Sequence, residues 1–227
     1  QGCNDIIYVD YLKEDIMSKK EKKERVLTEK EKQRVAHVEE ISADYASRGY
    51  TRKDVTVLMG KANTWALLFA LVYAVLMTLW YYLYNDHSFD TANWTFLKAA
   101  LLTAVFIPVH ELIHGLTWGA FAKSHYKAIE FGFIKESLTP YCYCGEALKK
   151  GAYALGGMMP CIVLGIIPTL VGIFTGSMFW FIVGILCFMG AGGDILNAIN
   201  LLRYKTSGEA VEILDHPTES GFILFEK

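Results

Sequence analysis

His110, Glu111 and His114 stand within "PVHELIHGLTW" (108–118), inside a long apolar run. An ionisable group at the middle of a membrane helix costs about 2.5–3.5 kcal/mol on insertion scales, so three of them within five residues mark a function. On a helix, positions i and i+4 share a face. The two imidazoles therefore converge on one point with the Glu111 carboxylate beside them, an arrangement of two metal ligands and a general base.

A catalytic zinc takes three protein ligands and keeps one position for water. Asp194, in "FMGAGGDILNAIN", is the one other acid deep in an apolar run. His114 lies seven residues inside Phe121 and Asp194 nine residues inside Arg203. At about 1.5 Å per helical residue these depths are about 10 and 14 Å, so the second and fourth apolar runs can meet side by side at that level. Gly190, Gly192 and Gly193 precede the acid and permit close approach or a locally unwound turn. Zn2+ on His110, His114 and Asp194 would lower the pKa of bound water toward 7, with Glu111 as proton acceptor and then donor to the leaving amine. The same side chains would also serve as interhelical hydrogen-bond partners or as the transient site of a metal-ion or proton transporter. Asn197, three residues after Asp194, shares its face and would orient a ligand or bond across helices.

These residues need elements to hold them. The chain has 227 residues, 53% of them hydrophobic, and a mean hydropathy of +0.26. Four apolar runs are long enough to cross a bilayer as helices, about 65–84, 96–121, 153–175 and 178–202. The expected fold class is an all-α integral membrane protein of four transmembrane helices, with a small cytosolic β-hairpin (about 126–146) and a short extended tail. Residues 1–62 form a charged N-terminal arm, 63–203 the membrane domain and 204–227 the tail. The first apolar run follows sixty mostly polar residues without a small-residue cleavage pattern, so it reads as a retained span.

Lysine and arginine are unevenly placed: 13 up to and including Lys61, five from Lys123 to Lys150, three after Leu202, and Lys98 alone elsewhere. The positive-inside rule puts both termini and the middle loop in the cytoplasm, as an even number of spans requires. No basic, aromatic-interleaved surface suggests nucleic acid. Cys3, Cys142, Cys144, Cys161 and Cys187 fall on cytosolic or buried segments and are expected to be free thiols. Cys142 and Cys144 make an incomplete zinc pair, and His125 and His216 read as interfacial or turn residues.

The segment "MSKKEKKERVLTEKEKQRVAHVEE" predicts a solvated helix or disordered arm at the membrane surface, with Met17 a candidate start. Tyr126 to Ile134 alternates as a strand does, Ser137 to Pro140 supplies a turn, and the strand offers an edge for an unwound substrate. Pro160 and Pro168 predict kinks in the third span.

HELIH in the second span, "YALGGMMPCIVLGIIP" in the third, "GGD" in the fourth and "DHPTESGF" in the tail together resemble a bacterial family of membrane zincin peptidases, distantly similar to the site-2 protease intramembrane metalloproteases. The resemblance covers roughly residues 60–225. It implies zinc on His110, His114 and Asp194, Glu111 as the catalytic residue, and a multi-pass protein of the bacterial cell membrane. The expected activity is zinc-dependent intramembrane endopeptidase action near the cytosolic face, on a membrane protein or membrane-associated peptide. A transporter or a catalytically inactive zincin-like binding protein is the alternative. Four spans without visible repeats argue against the first, and the retained Glu111 against the second.

Overall fold

A computed structural model of the chain describes residues 27–56, 59–86, 94–134, 139–204 and 211–227. Cys3, Met17 and the expected turn residue Ser137 lie outside them.

The apolar runs form helices. After α1 (Glu29–Ser47) and β1 (Thr51–Thr56) come α2 (Met59–Tyr84) and α3 (Thr95–Phe121). A 3-10 turn (His125–Ala128) then leads into the hairpin β2 (Ile129–Ile134) and β3 (Thr139–Cys144), followed by the two-residue strand β4 (Leu148–Lys149). Next are α4 (Lys150–Pro160), a π-helical turn (Cys161–Ile166), α5 (Ile167–Thr175), α6 (Met178–Gly190) and α7 (Gly192–Arg203), then β5 (Val211–Asp215) and β6 (Gly221–Glu226). Three helical stretches are long and apolar enough to cross a membrane: Ala66–Tyr84, Thr95–Phe121 and Lys150–Thr175. The pair α6 and α7 meets the same test only when taken together, because it bends by 55° at Ala191.

The third span is not broken by its prolines. The π turn follows Pro160 and Pro168 starts the next α-helical stretch, so the wider helical turns absorb the missing amide hydrogens within one continuous run. The fourth apolar run breaks at Ala191, among the glycines that the sequence marks for close approach or a locally unwound turn. A side chain at Gly192 would bring its Cβ to 2.6 Å from the Ala66 methyl, so glycine lets the second half of the break press against α2.

The chain is mostly helical, but the all-α expectation needs correction: two small sheets are present. β2 and β3 pair antiparallel, with Ile129 opposite Cys144 and Phe131 opposite Cys142. Tyr126 to Ala128, expected to begin the strand, instead form the 3-10 turn. The second sheet has four strands in the order β1-β6-β5-β4, all neighbours antiparallel. Strands from the N-terminal segment, the middle loop and the tail thus share one set of backbone hydrogen bonds.

"FILF" in β6 reads as a continuous apolar run because both faces of the sheet are covered. Phe222 and Leu224 face a core with Trp118, Tyr153 and Leu201 from the helix ends. Ile223 and Phe225 face the opposite way, with Leu214, against Val38 and Tyr45 of α1.

From Thr28 onward, therefore, the charged N-terminal segment takes the helical form of the two that were expected, solvated on most of its surface and docked on the sheet along one face. Thr28 and Glu31 form a capping box at the start of α1. Val38, Ile41 and Tyr45 make an apolar stripe against the sheet. Arg34 clamps the hairpin: its Nε and Nη2 donate to Glu130 at 3.0 and 2.7 Å, it donates to the Tyr141 hydroxyl, and its guanidinium lies over the rings of Tyr141 and Tyr143. Bidentate pairs of this kind are the strong ones.

The Arg34 hydrogen bond holds the Glu130 carboxyl below its ordinary range. A depressed carboxylate pKa means stability present above the usual range and lost as pH falls through it. Arg34→Ala should therefore weaken docking of α1 by about 1–3 kcal/mol at neutral pH. Protease resistance of residues 29–47 should drop accordingly, and the difference between variant and wild type should shrink as pH falls below the ordinary carboxylate range, leaving the part owed to Tyr141 and Tyr143.

Candidate metal centre

α3 runs unbroken through Pro108 and carries His110, Glu111 and His114. His114 is 3% exposed, and its Nδ1–H donates to the Gly156 carbonyl of α4 at 2.9 Å. That bond orients the ring so that its Nε2 faces the cluster. Nε2 of His114 lies 3.1 Å from Nε2 of His110, and Oδ2 of Asp194 lies 3.0 Å from Nε2 of His110 and 3.5 Å from Nε2 of His114. Two imidazole nitrogens and a carboxylate at such distances in apolar surroundings share either protons or a metal cation.

The donor set fits zinc. Zinc–ligand bonds of about 2.0–2.1 Å in tetrahedral geometry place ligand atoms about 3.3 Å apart, and the observed sides of the triangle bracket that value. The Gly156 carbonyl is the outer partner that a ligating histidine needs. Among the described residues no other group of three His, Cys, Asp or Glu side chains comes together in this way.

The break in the fourth apolar run delivers the third member. α6 packs along α3 through Val183 and Cys187, against Val109 and Ile113. After the bend, α7 turns toward α2 and α4, and Asp194 sits in its first turn, where the helix dipole favours an anion. The two helices bearing the site thus meet through side chains, with the bend rather than a long parallel contact supplying the approach.

Glu111, beside the cluster, also turns its carboxylate toward the backbone amide of Cys142 on β3. In an antiparallel pair alternate residues turn their amides outward. Cys142 and Cys144 are such a set, since the Cys144 N–H leaves the hairpin for Asp215 at 2.7 Å. β3 thus borders Glu111, while β2 packs on the same helix at Gly115 through Ile129 and Phe131. Two outward amides of β3 are occupied, and Pro140 has none.

The remaining candidates separate cleanly. Cys142, Cys144, Cys161 and Cys187 are free thiols, and burial pushes Cys142 up and Cys144 up to about 12. Both hairpin thiols are thus protonated at neutral pH and structural in setting. His216 accepts the Glu219 N–H at 2.9 Å and caps the tail turn; His125 stands at the 3-10 turn. Asn197 lines, with Asp194, Tyr153 and Trp118, a cavity of about 40 Å³, room enough for water.

Sequence reading missed the support. Trp118 stacks on His114 at 4.9 Å and on Tyr153 at 5.4 Å, and its Nε1–H donates to the Tyr153 carbonyl at 3.0 Å. Gly156 makes room for that indole, since a Cβ there would lie 2.1 Å from the ring. The i+4 spacing from His114 to Trp118 was the one local signal; α4 as partner was not legible.

Residues 103–208 match the model of a family described as "Putative zincin peptidase". Over that stretch the chain is similar to the zincin peptidases. The matched segment holds His110, Glu111, His114 and Asp194, and it supports a metallopeptidase. No curated protein and no solved structure matches the chain. The motif-based resemblance and the zincin peptidase family thus agree, while the likeness to site-2 proteases finds no match of its own.

Zinc measured in detergent-purified protein should be stoichiometric in the wild type and lost in Asp194→Ala; equal content in both removes the carboxylate from the ligand set. Gly156→Ala should lower stability by about 1–3 kcal/mol, read as a fall in the thermal midpoint, because the indole is held on both faces.

Proposed function

We infer that this protein is a zinc-dependent intramembrane endopeptidase that hydrolyses a peptide bond near the cytosolic face. The observation that carries the reading is the triangle of His110, His114 and Asp194 donor atoms with a carboxylate next in sequence, held by another element.

His110, His114 and Asp194 would hold the ion. Bound zinc supplies a Lewis acid for the substrate carbonyl and makes water acidic enough to be deprotonated near neutral pH. Glu111 would accept a proton from the attacking water on its carboxylate and return it to the leaving amine. The Cys142 amide holds Glu111 while it is ionised, which keeps the acceptor aimed. Trp118 and Tyr153 close the side toward the sheet, limiting bulk water around the histidines.

The sheet supports a topology. β1 precedes the first span, β4 lies between the second and third, and β5 and β6 follow the last, yet all four strands hydrogen-bond together. They lie on one side of the membrane. The chain leaves that side through Lys150–Thr175 and must return through α6 and α7, so the bent pair counts as a fourth span. Lys53, Lys149, Lys150, Arg203 and Lys227 cluster at the same end, which the positive-inside rule makes cytoplasmic. The protein is then a four-span protein of the bacterial cell membrane with both termini inside.

The substrate is a membrane protein or membrane-associated peptide presented in extended form, since a helical segment hides its carbonyls in its own hydrogen bonds. Glu111→Gln should keep its zinc and lose cleavage by about 10²–10⁴-fold. Mass spectrometry of new N-termini in membranes of cells expressing either protein measures it. The same new termini from both would exclude Glu111 as the base and, with it, the peptidase reading.

A further inference from the structure

Asp215 ends β5 and is 8% exposed. Burial pushes its carboxyl up to about 6, although two donors oppose the shift. An ionisable group beside Cys144, Tyr153 and Phe222 is an expensive way to finish a strand, and an apolar residue of its size would pack there at less cost. What the carboxylate does is join two walls. Its Oδ2 accepts the Cys144 N–H at 2.7 Å, and its Oδ1 accepts the Tyr153 hydroxyl.

Each donor leads to the metal centre. Cys144 is on β3, two residues beyond the amide that holds Glu111, so Asp215 and Glu111 grip the same strand edge one repeat apart. Tyr153 is on α4, three residues before the carbonyl that holds His114, and its ring and carbonyl fix the Trp118 indole that stacks on His114. Asp215 is the one described residue bonded to both chains of contacts.

We propose that Asp215 is a positioning residue of the metallopeptidase site, tying the strand that aims Glu111 to the helix that aims His114, so that the site depends on the C-terminal hairpin. The hairpin lies beyond the 103–208 segment that matches the zincin family. The proposal rests on the peptidase reading for its catalytic consequence, but not for its structural one.

The full chain is purified in detergent as wild type, Asp215→Ala, Asp215→Asn and Tyr153→Phe, and Co2+ is the probe. Three measurements are made: Co2+ affinity with its visible spectrum, amide exchange across 139–144, and release of the Glu111-dependent N-termini. Asp215→Ala should lose about 10–100-fold in Co2+ affinity or in cleavage rate. It should also shift the cobalt bands and speed exchange at 139–144, with the protein still folded. Asp215→Asn keeps an acceptor for the Cys144 amide and can donate to the phenol oxygen, so it should recover most of each signal. A folded Asp215→Ala with wild-type affinity, spectrum and exchange overturns the proposal. Should that variant fail to fold, Tyr153→Phe decides: a shifted cobalt spectrum and faster exchange support the link, and unchanged values refute it. Absence of Glu111-dependent termini in the wild type would sink the peptidase reading alone, because spectrum and exchange still report on Asp215.

Discussion

Three lone-pair donors, two imidazole nitrogens and a carboxylate oxygen, face one another at 3.0 to 3.5 Å within a bundle of apolar helices. Lone pairs this close in apolar surroundings need a proton or a cation shared among them. A cation between them resolves the conflict. Much of the fold around the site can be understood as what is needed to bring these groups together against their mutual repulsion and their desolvation.

The helix carrying HELIH is the simpler part, since spacing alone aligns its two rings. The carboxylate is harder to bring in. α6 runs along α3 through apolar contacts that leave no room for an acid, and a straight continuation would follow the same path. The bend at Ala191 redirects the chain, and Asp194 occupies the first turn of the new helix, where unpaired amides favour negative charge. One broken span thereby supplies both the direction and the local field.

Below the helices, a four-stranded sheet built from three distant parts of the chain is packed on both faces. It fixes where the helix ends sit relative to one another. The column His114, Trp118, Tyr153 runs from the centre toward that sheet and meets it at Asp215. The hairpin clamped by Arg34 is held from the other side, and its β3 edge supplies the amide for Glu111. A candidate metal centre among apolar helices is thus braced by a sheet at the helix ends.

How much of this was legible follows from the range of the forces involved. Helix existence and the i, i+4 convergence of His110 and His114 are local, set by residue type and by a period of 3.6, so the sequence by itself determined them. Asp194 was legible because an acid in an apolar run is conspicuous, although its route, through a 55° bend, was not. The apolar stripe Val38, Ile41, Tyr45 was present in the N-terminal segment but outweighed by its charges, and "FILF" signalled a strand buried on both faces without naming what covers it. Tertiary structure alone decided the union of β1, β4, β5 and β6, the choice of β3 as the strand beside Glu111, and the joining of Asp215 to Cys144 and Tyr153. Those partners lie tens of residues apart, and nothing in the local period of a sequence specifies which distant amide a carboxylate will meet; only the packing of whole elements does.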